Sequence, residues 1–102
     1  SDNMTYEDIR NELREFVAER NWEQYHNLKD LALSVSIEAS ELVEIFQWRN
    51  PEDINDEDRQ NIKLELADVL IYVFFMCDKL GIEPYEIIKE KMEINKKRVF
   101  KF

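Results

Sequence analysis

The sequence predicts an all-α fold: a bundle of four helices assembled as a homo-oligomer. Three observations predict it. The 102 residues contain one Gly and two Pro, too few breakers for the many turns of a β-sandwich or barrel. Apolar residues recur at helical spacing, as in Ile9, Leu13, Phe16 and Val17. Leu66 to Cys77 holds a single charged residue, Asp68, so that helix is apolar on nearly every side and must be covered on every side. Four helices cannot easily do this within one subunit, which points to packing against symmetry mates. The stretch is also too short to cross a bilayer, which takes about 20 apolar residues.

The elements follow in order. Residues 1–4 are expected to be a vector remnant or a disordered start, and residues 5–100 a single domain, since this length leaves no room for a second. Thr5 caps the first helix, with Asp8 three residues on as a weak capping box, and the helix runs to about Arg20. Asn21 to His26 is a short polar and aromatic connection. Asn27 caps the second helix, with Asp30 in its first turn, and Arg49-Asn50-Pro51 stops it after about Trp48. Pro51 to Asn55 is a loop. The third helix begins in the acidic run Asp56 to Asp58 and ends at Gly81. Pro84 opens the fourth, which reaches roughly Arg98.

The net charge is −9, from 23 acidic and 14 basic residues. That balance disfavours nucleic acid and anionic membranes as partners. It is unevenly spread, for Lys89 to Phe102 contains six basic residues and two acidic ones. An acidic body with a basic end suits a metal ion plus a phosphorylated ligand; cations completing a helix dipole explain part of the same pattern. Cys77 is the lone cysteine, which excludes an intrachain disulfide or a cysteine zinc cluster. The polar, acidic N-terminus is unlike a signal peptide, so cytoplasmic residence is expected.

Two acidic pairs carry the candidate chemistry. Glu38 and Glu41 lie three residues apart on the second helix, Glu65 and Asp68 three apart on the third. Residues at i and i+3 share a face, roughly 60° apart around the axis and about 4.5 Å along it. Each face is otherwise mostly apolar: Leu31, Ser34, Leu42, Ile45 and Trp48 on one, Val69, Tyr72, Phe75 and Met76 on the other. Residues 31–48 and 64–78 contain no Lys, Arg or His. Carboxylates turned inward without a basic partner are costly, and two pairs brought together repel. A hard divalent cation relieves both costs, and all-oxygen ligation favours Mg²⁺, with Mn²⁺ as a substitute, over zinc. Glu44 is either a further ligand or base, or a rim residue facing solvent. A ferritin-like di-iron bundle needs Glu-x-x-His on two helices, and His26 is the only histidine.

These motifs bring a family with them. Trp22-Glu-Gln-Tyr-His26, Glu38-Ala-Ser-Glu41-Leu-Val-Glu44-Ile-Phe-Gln-Trp48, Glu65-Leu-Ala-Asp68-Val-Leu-Ile-Tyr72 and Lys91-Met-Glu-Ile-Asn95-Lys-Lys-Arg98 closely resemble the MazG-like, all-α nucleoside triphosphate pyrophosphatases. They look most like the dCTP pyrophosphatase branch, over roughly Tyr6 to Phe100. The resemblance implies a homotetramer, or at least a dimer, with Mg²⁺ held by Glu38, Glu41, Glu65 and Asp68. It implies cleavage of a (deoxy)nucleoside triphosphate, dCTP or a modified dCTP, to monophosphate and pyrophosphate, clearing unwanted nucleotides from the pool. Trp22, His26, Trp48, Tyr72 and Asn95 match nucleoside-pocket positions, and Lys91 and Arg98 match basic positions near the phosphates. Glu38 or Glu41 would accept the proton of the attacking water. The rivals are a non-catalytic helical oligomerisation module with a structural cation, and the same fold acting on dUTP, a damaged nucleotide or a phosphoribosyl compound.

Overall fold

The computed structural model describes residues 3–98, which form four α-helices: α1 (Tyr6–Glu19), α2 (Leu28–Ile45), α3 (Asp56–Leu80) and α4 (Pro84–Lys96). Ser1, Asp2 and the expected domain end at Phe100 lie outside the described residues. No strand occurs among the described residues, and none of their helices is long and apolar enough to cross a membrane.

Local chemistry sets the helix ends. Thr5 and Asp8 make a full capping box, each side chain accepting the other's backbone N–H. Asn55 and Asp58 repeat it at the start of α3, and Asn27 caps α2 by accepting the Asp30 N–H. Two helices close through left-handed residues that favour that backbone, Asn21 (φ 56°) after α1 and Gly81 (φ 69°) after α3. Beyond each, an N–H bonds back into the helix, Trp22 to Val17 and Ile82 to Cys77. Between α1 and α2 the expected connection contains one 3-10 turn, Glu23–Tyr25.

α2 departs from expectation. It ends at Ile45 rather than near Trp48, and Phe46 and Gln47 form a tight turn through N–H bonds to Val43 and Glu44. Trp48 then takes φ 64°. Nothing in the residue types announces this, since tryptophan is not a usual left-handed residue.

α2 and α3 are the central pair, and three contacts show them antiparallel. Leu31 shares a cleft with Phe75 and Asp78, Glu38 meets Glu65 and Asp68, and Arg49 pairs with Asp58. α1 docks on α3 through Arg14, whose Nε donates to Asp78 Oδ2 at 2.8 Å and whose Nη2 donates to Oδ1. Tyr6, Phe74 and Tyr85 join α1, α3 and α4 in an edge-on triangle with ring centroids 5.9, 6.1 and 6.4 Å apart. Such pairs add about 0.5–1.5 kcal/mol each beyond their burial.

The interior of one chain is small. Among the described residues Val17, Leu31, Cys77 and Pro84 are buried, while Leu33, Ile37, Val43, Leu66, Leu70, Ile88 and Met92 stay exposed. The radius of gyration is 16.5 Å, against about 13 Å for a closed domain of this length. The four helices splay, leaving apolar faces open.

Candidate active site

The acidic pairs meet where the middle of α2 crosses α3. Glu38, Glu65 and Asp68 each offer a carboxylate oxygen, and these oxygens lie within 4.8 Å of one another. Oxygens on opposite sides of one octahedral Mg²⁺ sit about 4.2 Å apart, so this spacing fits a single hard cation. Glu41 lies outside that triad, nearly one helical turn along α2 from Glu38, and its charge acts on the Glu38 carboxyl. Glu44 is exposed and belongs to the rim.

Two features show that the cluster lacks a partner of its own. Glu38 Oε2 and Glu65 Oε2 are buried without any hydrogen-bond donor, a costly state for a charged carboxylate. Among the described residues no ion pair reaches Glu38, Glu41, Glu65 or Asp68; the ion pairs present join other acids. Loss of hydration pushes the Glu38 carboxyl up to about 7, helped by the neighbouring carboxylates of Glu41, Glu65 and Asp68. Oxygen-only donors, orphaned lone pairs and uncompensated negative charge together fit a divalent cation.

A cleft of about 210 Å³ opens toward the C-terminal end of α3, lined among others by His26, Leu31, Phe75, Arg14 and Asp78. A line of rings leads to it from the acids. Tyr72 is one helical turn beyond Asp68, its ring is 5.9 Å from Phe75, and Phe75 lies 4.8 Å from the His26 ring. Desolvation lowers the His26 pKa, the Lys79 charge adds to this, and Glu23 opposes it, so the ring favours its neutral form. Trp22 sits beside this region, edge-on to Phe16 at 5.4 Å and 40% exposed. Phe75 and the Arg14–Asp78 pair were not singled out as site residues from the sequence. Phe75 had a signal, since it shares the face of Glu65 and Asp68; Arg14 and Asp78 are 64 residues apart and had none.

The other candidates lie elsewhere in the chain. Trp48 follows the far end of α2 and is 94% exposed. α2 has 18 residues, so His26 and Trp48 are separated by a helix about 27 Å long. One subunit therefore does not bring Trp48 into a pocket with Trp22, His26 and Tyr72. Lys91, Asn95 and Arg98 are on or just beyond α4, with Asn95 half-buried and the two basic residues exposed. Among the described residues no hydrogen bond or ion pair joins Lys91 or Arg98 to the acidic cluster.

Comparison with known proteins accounts for the arrangement. Residues 33–100 match the model of the MazG-like family. The chain is 37% identical over 99 residues to human dCTP pyrophosphatase 1, covering 92% of this chain and 58% of that protein. The bovine dCTP pyrophosphatase 1 is 35% identical over 103 residues, covering 96% and 61%. The chain thus spans about three-fifths of the length of these relatives. A crystal structure of a pyrophosphatase from Archaeoglobus fulgidus superposes with a TM-score of 0.85 at 42% identity, covering 99% of this chain and 97% of that one. The all-helical architecture, the paired acids of α2 and α3 and these matches lead to one conclusion: the chain belongs to the MazG-like family.

Proposed function

We propose that this protein is a Mg²⁺-dependent nucleoside triphosphate pyrophosphohydrolase acting on dCTP or a modified dCTP. The observation that carries the reading is the triad of Glu38, Glu65 and Asp68, with orphaned oxygens and no basic neighbour. The relatives named dCTP pyrophosphatase and pyrophosphatase support the reaction and the base.

When bound, Mg²⁺ would neutralise phosphate charge and lower the pKa of a coordinated water. The chain's residues do the rest. Glu38, Glu65 and Asp68 would hold the ion, and Glu41, beside Glu38 but outside the triad, would take the proton of the attacking water. Water oxygen bonds to the α-phosphorus, the bond from that phosphorus to the bridging oxygen breaks, and pyrophosphate leaves with its electron pair. Tyr72, Phe75 and His26 run from the acids toward the cleft, a course that suits a ligand with phosphates at one end and a flat base at the other. Lys91 and Arg98 would offset phosphate charge, and Asn95 would hydrogen-bond the nucleoside.

The same reading requires more than one copy. The apolar faces left open on α2, α3 and α4 fit the packing of a homotetramer. Trp48, remote from its own Trp22, His26 and Tyr72, serves the nucleoside pocket of a neighbouring copy.

A panel of nucleoside triphosphates with Mg²⁺, read by pyrophosphate release, tests the proposal. dCTP or a 5-substituted dCTP is expected to give the highest kcat/KM, with monophosphate and pyrophosphate in equal amounts. Orthophosphate as the only inorganic product would refute α–β cleavage. No turnover of any triphosphate would favour the oligomerisation module.

A further inference from the structure

Among the described residues three take left-handed backbone conformations, and Trp48 is unlike the other two. Asn21 and Gly81 tolerate positive φ. Trp48 holds φ 64° with a bulky side chain, and at 94% exposed it gains little apolar contact in return. Such strain persists only where surrounding structure over-determines the backbone.

That structure is the pair formed by Arg49 and Asp58. Asp58 is 4% exposed. Its Oδ2 accepts from Arg49 Nη1 and from the Asn55 N–H, while its own N–H donates to Asn55 Oδ1. One carboxylate thus ties the residue immediately after Trp48 to the first turn of α3. Capping alone does not call for the arginine. Thr5 and Asp8 make the same box at the start of α1, and no ion pair to Asp8 is present among the described residues. Arg49 is an addition to the cap, placed next to the strained tryptophan.

We propose that Arg49 and Asp58 form a clasp that positions Trp48, fixing the α2–α3 turn so that the indole stands clear of its own subunit as a preset face for the substrate's base. This rests on Trp48 belonging to a nucleoside pocket. Neither residue touches the reacting atoms. An indole already ordered before binding loses less freedom when the base arrives. Removing the clasp therefore weakens substrate binding and spares the chemical step.

Arg49→Met tests it, because the Asp58 cap survives. KM for the best triphosphate is expected to rise about two- to tenfold, from the ordering cost of one side chain, with kcat within about twofold and the Mg²⁺ requirement unchanged. Arg49→Lys should restore KM, since a single guanidinium nitrogen makes the contact to Oδ2. Asp58→Asn, which keeps an oxygen for the cap, provides a second variant with the same expected KM rise should Arg49→Met fold poorly. In a Trp22→Phe background Trp48 is the sole indole, and Arg49→Met should lower its fluorescence anisotropy in the free protein. Unchanged KM and anisotropy overturn the clasp, as does a fall in kcat at constant KM. Failure of the lysine to rescue also overturns it, by placing the guanidinium on substrate. If the unaltered protein hydrolyses no triphosphate, the functional reading fails; normal turnover with an unmoved KM defeats only the clasp.

Discussion

The two ends of the α2–α3 pair treat their aromatic residues in opposite ways. At the cleft end, Phe75 packs against both His26 and Tyr72, and Trp22 leans on Phe16. At the other end Trp48 is pushed outward by a left-handed turn and meets almost nothing. Aromatic side chains normally recover their desolvation by packing, so the first end is satisfied within one chain and the second is not. The acidic cluster lies between them, on the same two helices. The contrast teaches that one subunit gathers an acidic cluster and a packed set of rings, while its other end leaves an indole without a packing partner.

The largest expected effect comes from the centre. Glu65→Gln or Asp68→Asn should lower kcat about a thousandfold, as loss of several kcal/mol of charge stabilisation implies. The metal-free protein should melt no lower than wild type, because repulsion within the cluster is relieved. Pyrophosphate assays beside thermal melts in EDTA check both halves. Next comes Trp48→Ala, expected to raise KM at least about tenfold, the scale of one stacked base. Mixing it with Glu65→Gln breaks or sharpens the comparison directly. Under the proposed shared pocket, assemblies reconstituted from the two variants should regain low-KM activity, since a site with intact acids from one chain would receive Trp48 from the other. No recovery in verified mixed assemblies would return Trp48 to its own subunit.

A pH series gives a smaller signal. Glu38 has a raised pKa, so the folded metal-free protein holds its proton more tightly than the unfolded chain does. Its contribution to stability is present at acid pH and is lost as pH rises from the ordinary carboxylate value toward about 7. Mg²⁺ affinity should run the other way and tighten over the same range, because the cation displaces the proton. Melting temperatures at pH 5 and 8, with and without Mg²⁺, measure both trends. The smallest effect belongs to Arg14→Met at the cleft end. The Arg14 side chain holds the Asp78 carboxyl below its usual value through paired hydrogen bonds. The variant should therefore melt slightly below wild type at neutral pH, and the difference should vanish as acid protonates Asp78.

Much of the fold was legible because short-range chemistry writes it. Thr5, Asn27, Asn55, Gly81 and Pro84 stand where capping preferences place them, and each marks a helix end. The acidic pairs were legible as an anomaly, charges on apolar faces without basic residues nearby, and α2 and α3 bring Glu38, Glu65 and Asp68 together. What stayed hidden depends on long-range geometry. The Arg14–Asp78 contact joins residues that no helical period relates. Asp58 read as a first-turn acid, since burial beneath Arg49 is a property of the folded turn. Trp48 read as the last residue of a helical stripe because a period of 3.6 does not say where the helix stops.

The scantness of the interior, where few apolar residues among those described are buried, has a consequence for how the molecule behaves in dilute solution. If copies of the chain cover one another's open faces, the free energy of folding acquires a term in the logarithm of protein concentration. Abundance would then act as a stabiliser in its own right. A cell making little of this protein would hold a smaller share of it in native form.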